Sequence, residues 1–198
     1  MHHLISIQNK GFTWCDKEKG HFWEDFFPLI KISTIPHKPW AQRNILIPAG
    51  IYEEVCWLIK VKIDAEVHKP SNSSYRSRWF CLVKKNGKSL QIIHSLKPLN
   101  QVTIKQVGIT PFTDQIREHF VEYACGGMLN LYVSYNERGL AETFRDLMTF
   151  QSLFGDLWLI TLPMGWTNFI PIFHDDITHI LQPKICDTIV LYINNVPI

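Results

Sequence analysis

Over the first 50 residues the apolar and polar positions follow no steady period. Trp14, Phe22, Trp23, Phe26, Phe27 and Trp40 are interspersed with prolines 28, 36, 39 and 48, each of which fixes its own φ and removes a backbone donor. This predicts an extended arm over 1–50 whose aromatic side chains dock on another surface. From Ile51 a period appears. Val55, Ile59, Ile63 and Val67 recur every four residues with Lys60, Lys62 and Glu66 between them, which predicts an amphipathic helix over 52–67.

The segment "HKPSNSSYR" reads as a loop of turn formers, and "SRWFCLVKKNGKSLQIIHSL" as two short strands joined at Asn86-Gly87. "PLNQVTI" reads as a further extended piece. Pro111 opens a predicted helix, "PFTDQIREHFVEYA", with apolar residues at Phe112, Ile116, Phe120 and Tyr123, and Gly126-Gly127 ends it. "MLNLYVSY" has the character of a buried strand, and "ERGLAETFRDLMTF" is helical over part of its length. "GDLWLITLPMGW" is a hairpin-like apolar stretch, and "IPIFHDDITHILQ" predicts a helix starting just after Pro171. In "IVLYINNVPI", strands over 190–193 and from Val196 onward are joined by Asn194-Asn195, two residues that tolerate positive φ. Strands and helices in this irregular order predict an α+β fold, without the regular alternation of a doubly wound sheet.

A chain of 198 residues is long enough for one sizeable domain, or one domain with a flanking arm. With 46% hydrophobic and 19% charged residues it is globular in composition. A net charge of +2 is too small to imply a polyanionic partner, so nucleic-acid contact would have to come from local basic clusters. The longest apolar run, around "LWLITLPM", is far short of a membrane span, and "MHHLISIQNKG" lacks the features of a signal peptide. Five cysteines, odd in number and without C-x-x-C spacing, predict reduced thiols in an intracellular protein of cytoplasm or nucleus.

Local chemistry is sparse. In "FHDDITH", Asp175 and His179 are i,i+4 neighbours, a possible metal pair with His174 and Asp176 alongside, although no third ligand has a natural spacing. The simpler reading is an exposed helix start whose acidic residues complement the dipole. Lys84, Lys85 and Lys88 crowd one hairpin tip, suited to phosphate contact or to an ordinary solvated turn. No cysteine has a histidine close in sequence to activate it as a nucleophile, and no phosphate loop or dinucleotide fingerprint is present.

Read in order, four segments resemble the reverse transcriptase of gypsy-class long-terminal-repeat retrotransposons. "KKNGKSLQIIHSLKPLNQVTI" is similar to the fingers of that family, with a lysine-rich turn, a strand and a Leu-Asn before "VTI". "LNLYVSY" resembles the first palm motif, "LPMGWTNFIPIF" the Pro-x-Gly segment, and "YINN" the aromatic followed by two aspartates on a β-hairpin. The upstream "IPAGIYEEV" and "PSNSSYRSRWF" resemble family elements as well, so the likeness covers almost the whole chain.

The resemblance implies the fingers and partial palm of a right-hand polymerase, an antiparallel palm sheet packed on helices, with the thumb absent. It divides the chain into a connector arm over 1–50, a fingers-like region over 51–125 and a partial palm over 126–198. It implies RNA-directed DNA synthesis on an RNA or RNA/DNA template-primer, with two magnesium ions held by aspartates at 130, 194 and 195. All three positions are asparagine here. The resemblance also implies nucleotide-binding positions at Lys84, Lys85, Gln91, Tyr135, Gly165 and Trp166. Gln91 stands where the family usually has arginine, Ser95 where aspartate is common, and Ser134 where the first palm motif has glycine. An amide is neutral, and its NH₂ presents donors to a cation that wants anionic oxygen. The expectation is therefore an inactive copy that needs no cofactor. Two alternatives stand beside it: a non-enzymatic module binding nucleic acid or protein, and a working polymerase that substitutes Asp175 and Asp176 as ligands.

Overall fold

The computed structural model describes residues 6–11, 22–84, 90–108, 113–121, 126–131, 138–162, 164–185 and 189–197. Helix α1, Tyr52–Asp64, follows a single 3₁₀ turn at Ala49–Ile51 and places Glu53 and Glu54 against the positive end of its dipole. Val55 and Ile59, one turn apart, are completely buried. The helix stops three residues short of the expected end at 67. Glu66 takes a left-handed φ of 56°, while the Ala65 and Val67 amides bond back to the Val61 and Lys62 carbonyls.

The expected loop at "HKPSNSSYR" begins instead as strand β1, His68–Pro70. Strands β2, Trp79–Val83, and β3, Leu90–His94, form the predicted hairpin from Trp79↔His94 to Val83↔Leu90. The Asn86-Gly87 turn lies outside the described residues. "PLNQVTI" was expected to be extended, yet Lys97–Val102 is helix α2. Pro98 sits in its first turn, where a missing N–H costs nothing, and Leu99 is buried beneath it. Helix α3, Thr113–Phe120, ends before the predicted Gly126-Gly127 stop, and Pro111, Phe112 and Tyr123 lie outside the described residues.

Strand β4, Met128–Asn130, falls in the predicted strand, but all three of its residues are exposed rather than buried. Helix α4, Glu142–Arg145, runs into a 3₁₀ turn at Asp146–Met148. Strands β5, Phe150–Ser152, and β6, Gly155–Leu159, make a hairpin, and β1 adds to its other side to give a three-stranded antiparallel sheet in the order β1-β6-β5. Helix α5, Phe169–Leu181, begins two residues before Pro171, whose ring is tolerated in a first turn that has no intrahelical partner for its nitrogen. Phe169, Phe173 and Ile177 repeat every four residues on its buried face. Strand β7, Asn195–Pro197, pairs antiparallel with β4.

One core joins these pieces, with Ile59, Leu99, Leu140, Phe150, Leu162 and Phe173 fully enclosed. Between residues 22 and 48 the chain contains no regular element, as its prolines predict. The residues it buries are Ile30 and Ile32, while the aromatics Trp23 and Phe26, expected to dock, are exposed. Ile30 and Ile32 are buried while Lys31 between them is exposed, and the Ile30 amide and carbonyl bond Gly139 and Ala141 at 3.0 Å each. Among the described residues no helix is long and apolar enough to cross a membrane.

Candidate functional site

The "YINN" hairpin is built from buried anchors and an exposed tip. Ile189, Leu191 and Val196 are each less than a tenth exposed and hold its base in the core. At the tip, the Tyr192 and Asn195 amides each donate to the other residue's carbonyl at 2.9 Å. The two-residue connection is therefore Ile193-Asn194, one position earlier than the expected Asn194-Asn195. Ile193 carries a φ of 58° and Asn194 does not share the positive sign, the arrangement of a turn that normally takes glycine first. For a β-branched side chain this conformation costs about 1–3 kcal/mol.

The shift in register puts Asn195 on strand β7, directly opposite Asn130 on β4. Leu131 N–H donates to the Asn194 carbonyl at 2.9 Å and ties the end of β4 to the turn. Side chains complete the cluster: Asn130 Nδ2 donates to Asn195 Oδ1 at 2.8 Å, and Asn195 Nδ2 donates to Asn194 Oδ1 at 3.4 Å. Two of the three amide oxygens thus already accept a neighbour's hydrogen bond, and none carries charge. A magnesium ion dehydrates reluctantly and calls for anionic oxygen, which three neutral amides do not supply, so this donor set does not fit it.

A second cluster forms where "GWTN" meets helix α2. Gly165 takes a φ of 97°, and its carbonyl accepts Asn100 Nδ2 at 2.9 Å. The buried Trp166 donates from Nε1 to Thr103 Oγ1 at 3.0 Å, and that hydroxyl donates in turn to the Leu99 carbonyl at 2.8 Å. Asn100 Oδ1 accepts the Thr167 amide, while the buried Asn168 side chain accepts from Gln106 N–H and donates to the Ile104 carbonyl. Outside this knot opens a cleft of about 570 Å³, lined by Lys97, Asn100, Gln101, Lys105, Gly165 and Thr167.

Of the remaining predicted positions, Lys84 is exposed at the end of β2 and Gln91 is half-buried on β3, opposite Leu82. Lys85 and Tyr135 lie outside the described residues. The segment "FHDDITH" assembles no ligand set: among the described residues no three His, Cys, Asp or Glu side chains come together to hold a metal. Asp176 instead forms a charge contact with Arg138 Nε at 2.8 Å, and both side chains are largely enclosed, at 13% and 7% exposed. Burial pushes the Asp176 carboxyl above its ordinary range although Arg138 opposes this, and burial lowers the Arg138 guanidinium. Arg138 also donates to the Phe27 carbonyl at 2.9 Å and lies over the Phe22 and Phe27 rings, fastening the arm to α5. Burial pushes the Cys81 thiol up, away from a reactive thiolate. Sequence reasoning missed Asn100, Thr103, Arg138 and Asn168. The only available signal was polar residues set inside apolar segments, "PLNQVTI" and "GWTNFIP".

No protein-family model matches this sequence, and no curated protein sequence does. Solved structures do resemble it. The protease-reverse transcriptase of prototype foamy virus superposes with a TM-score of 0.83 at 15% identity, covering 100% of this chain. The foamy viral protease-reverse transcriptase in complex with RNA/DNA hybrid gives 0.82 at 14% identity, and its complex with dsDNA 0.77 at 14%. This chain spans 26% of the first two structures and 38% of the third. At these identities the likeness concerns the fold, which is that of a reverse transcriptase region.

Proposed function

We propose that this chain derives from the reverse transcriptase of a gypsy-class retrotransposon Pol polyprotein, comprises its fingers and part of its palm, and does not catalyse nucleotide addition. The observation that carries the proposal is the register Asn130↔Asn195 with Asn194 beside it, within a reverse transcriptase fold. Three residues from two segments far apart in sequence meet at one strand pair, as the metal-binding aspartates of the resembled family would, and none of them can supply charge. Two-metal catalysis asks its ligands to neutralise and position cations that stabilise both the attacking and the leaving oxygen. Amides bonded to one another supply none of that stabilisation.

A second reading is a non-enzymatic nucleic-acid-binding module on the same scaffold. It is favoured by the cleft beside α2, where Lys97 and Lys105 stand next to the neutral donors of Asn100, Gln101 and Thr167. One experiment addresses both readings. Primer extension on an RNA template with magnesium or manganese, run alongside a gel-shift assay of the same template-primer, compares the native chain with one carrying Asp at 130, 194 and 195. The proposal expects no synthesis by the native chain. Binding without synthesis supports the second reading, and synthesis by the native chain overturns both.

A further inference from the structure

We infer that the Asn130–Asn195–Asn194 side chains form a charge-free latch that holds β4 on β7 without a cation. The inference rests on the proposed reading of these positions as the carboxylates of the resembled family. The strand pair is short, with three residues in register, and β4 is exposed along its whole length, so little apolar burial stabilises it. What crosses it at the tip is the side-chain bond from Asn130 to Asn195, beside the backbone bond from Leu131 N–H to the Asn194 carbonyl. The Asn195–Asn194 contact buttresses it within the hairpin. Asn195 is the hub, accepting from Asn130 at 2.8 Å and donating to Asn194 at 3.4 Å. Each link pairs one amide donor with one amide acceptor, so neither needs a charge or an ion to be satisfied.

Carboxylates in the same places would fail in a defined way. With Asp at 130 and 195, two acceptors would face each other at the 2.8 Å now bridged by a hydrogen bond, and like charges that close cannot both remain ionised without a proton or a cation between them. A single carboxylate is tolerated, because the neighbouring amides can turn and donate to it. The latch is thus a property of the whole set, and it frees this strand pair from the ion that a carboxylate pair would need.

The test is thermal unfolding at neutral pH in EDTA, magnesium chloride or manganese chloride. It compares the native chain, Asn195→Asp, and the double variant Asn130→Asp/Asn195→Asp. The native chain and the single variant should unfold at temperatures that metal does not move. The double variant should unfold several degrees below the native chain in EDTA at neutral pH. That gap should close when both are compared at about pH 4, near the ordinary carboxyl range, where the buried histidines weaken both chains alike. Recovery with magnesium would also support the carboxylate-position reading. Recovery with acid but not with metal would keep the latch and count against that reading. Metal-dependent stabilisation of the native chain, or a double variant as stable as native in EDTA, would overturn the latch. Should the double variant prove insoluble, amide exchange at Leu131 decides: it should quicken several-fold in Asn130→Ala, and unchanged exchange would overturn the inference.

Discussion

Trp166 is 3% exposed, and its indole N–H ends in a hydroxyl that is itself bonded to helix α2, whereas Met128 on β4 is 68% exposed and its strand has one partner among the described residues. The Trp166 region is embedded in the core, and Asn100, Thr103 and Asn168 bond it to backbone groups on neighbouring segments. Among the described residues, the β4–β7 pair is tied to the core through Ile189, Leu191 and Val196, with Leu131 packed beside them. Residues that hold a fold together resist change because every substitution leaves a cavity or an orphaned polar group. Residues that hold a metal on an exposed strand pair can lose their charge while the backbone stays paired. On the proposed reading of positions 130, 194 and 195, this contrast is how the scaffold would persist around a site with no carboxylates.

The largest effect that would sharpen this contrast is expected at Trp166. Trp166→Ala removes a buried ring and takes from the Thr103 oxygen the donor it accepts, so it should lower unfolding stability by about 3–5 kcal/mol in a denaturant titration. A cost near zero would mean that the buried region is no firmer than the exposed one. A smaller effect, confined to acid, is expected at His94. His68 and His94 meet edge to face at 6.0 Å, and both rings pack on Phe150. Burial is the main reason their pKa values fall, to about 4 for His68, where Lys62 adds to the effect, and to about 3 for His94, where His68 and then Lys62 add to it. Both folded values lie below the unfolded one near 6.5, so the stability from keeping the rings neutral is fully present above that pH. It is lost as the pH falls toward the folded values. His94→Phe should flatten that loss, read by tryptophan fluorescence, and an unchanged acid profile would remove the pair from the account.

How much of this was legible depended on how local each feature is. Val55 and Ile59 announced α1 because a four-residue period is a property of one segment. Helix α2 was hidden, because Val102 and Thr103 favour strands and Pro98 reads as a breaker unless it falls in the first turn, where it does. The "YINN" turn was placed one residue late because residue preference assigns positive φ to asparagine, while the chain imposes it on Ile193. The amide cluster was anticipated through the order of motifs, yet its internal hydrogen bonds depend on a register that no single segment encodes. Arg138 and Asp176 were invisible as a pair. They are 38 positions apart in numbering, and "NERG" and "HDD" each read as ordinary surface.

The most direct measurement is a crystal structure of the native chain grown with manganese, whose anomalous scattering marks any bound ion. The account predicts Asn130 opposite Asn195, the Asn130–Asn195 hydrogen bond in place, and no anomalous peak within coordination distance of the three amides. A manganese ion held by Asn130, Asn194 or Asn195 would contradict it.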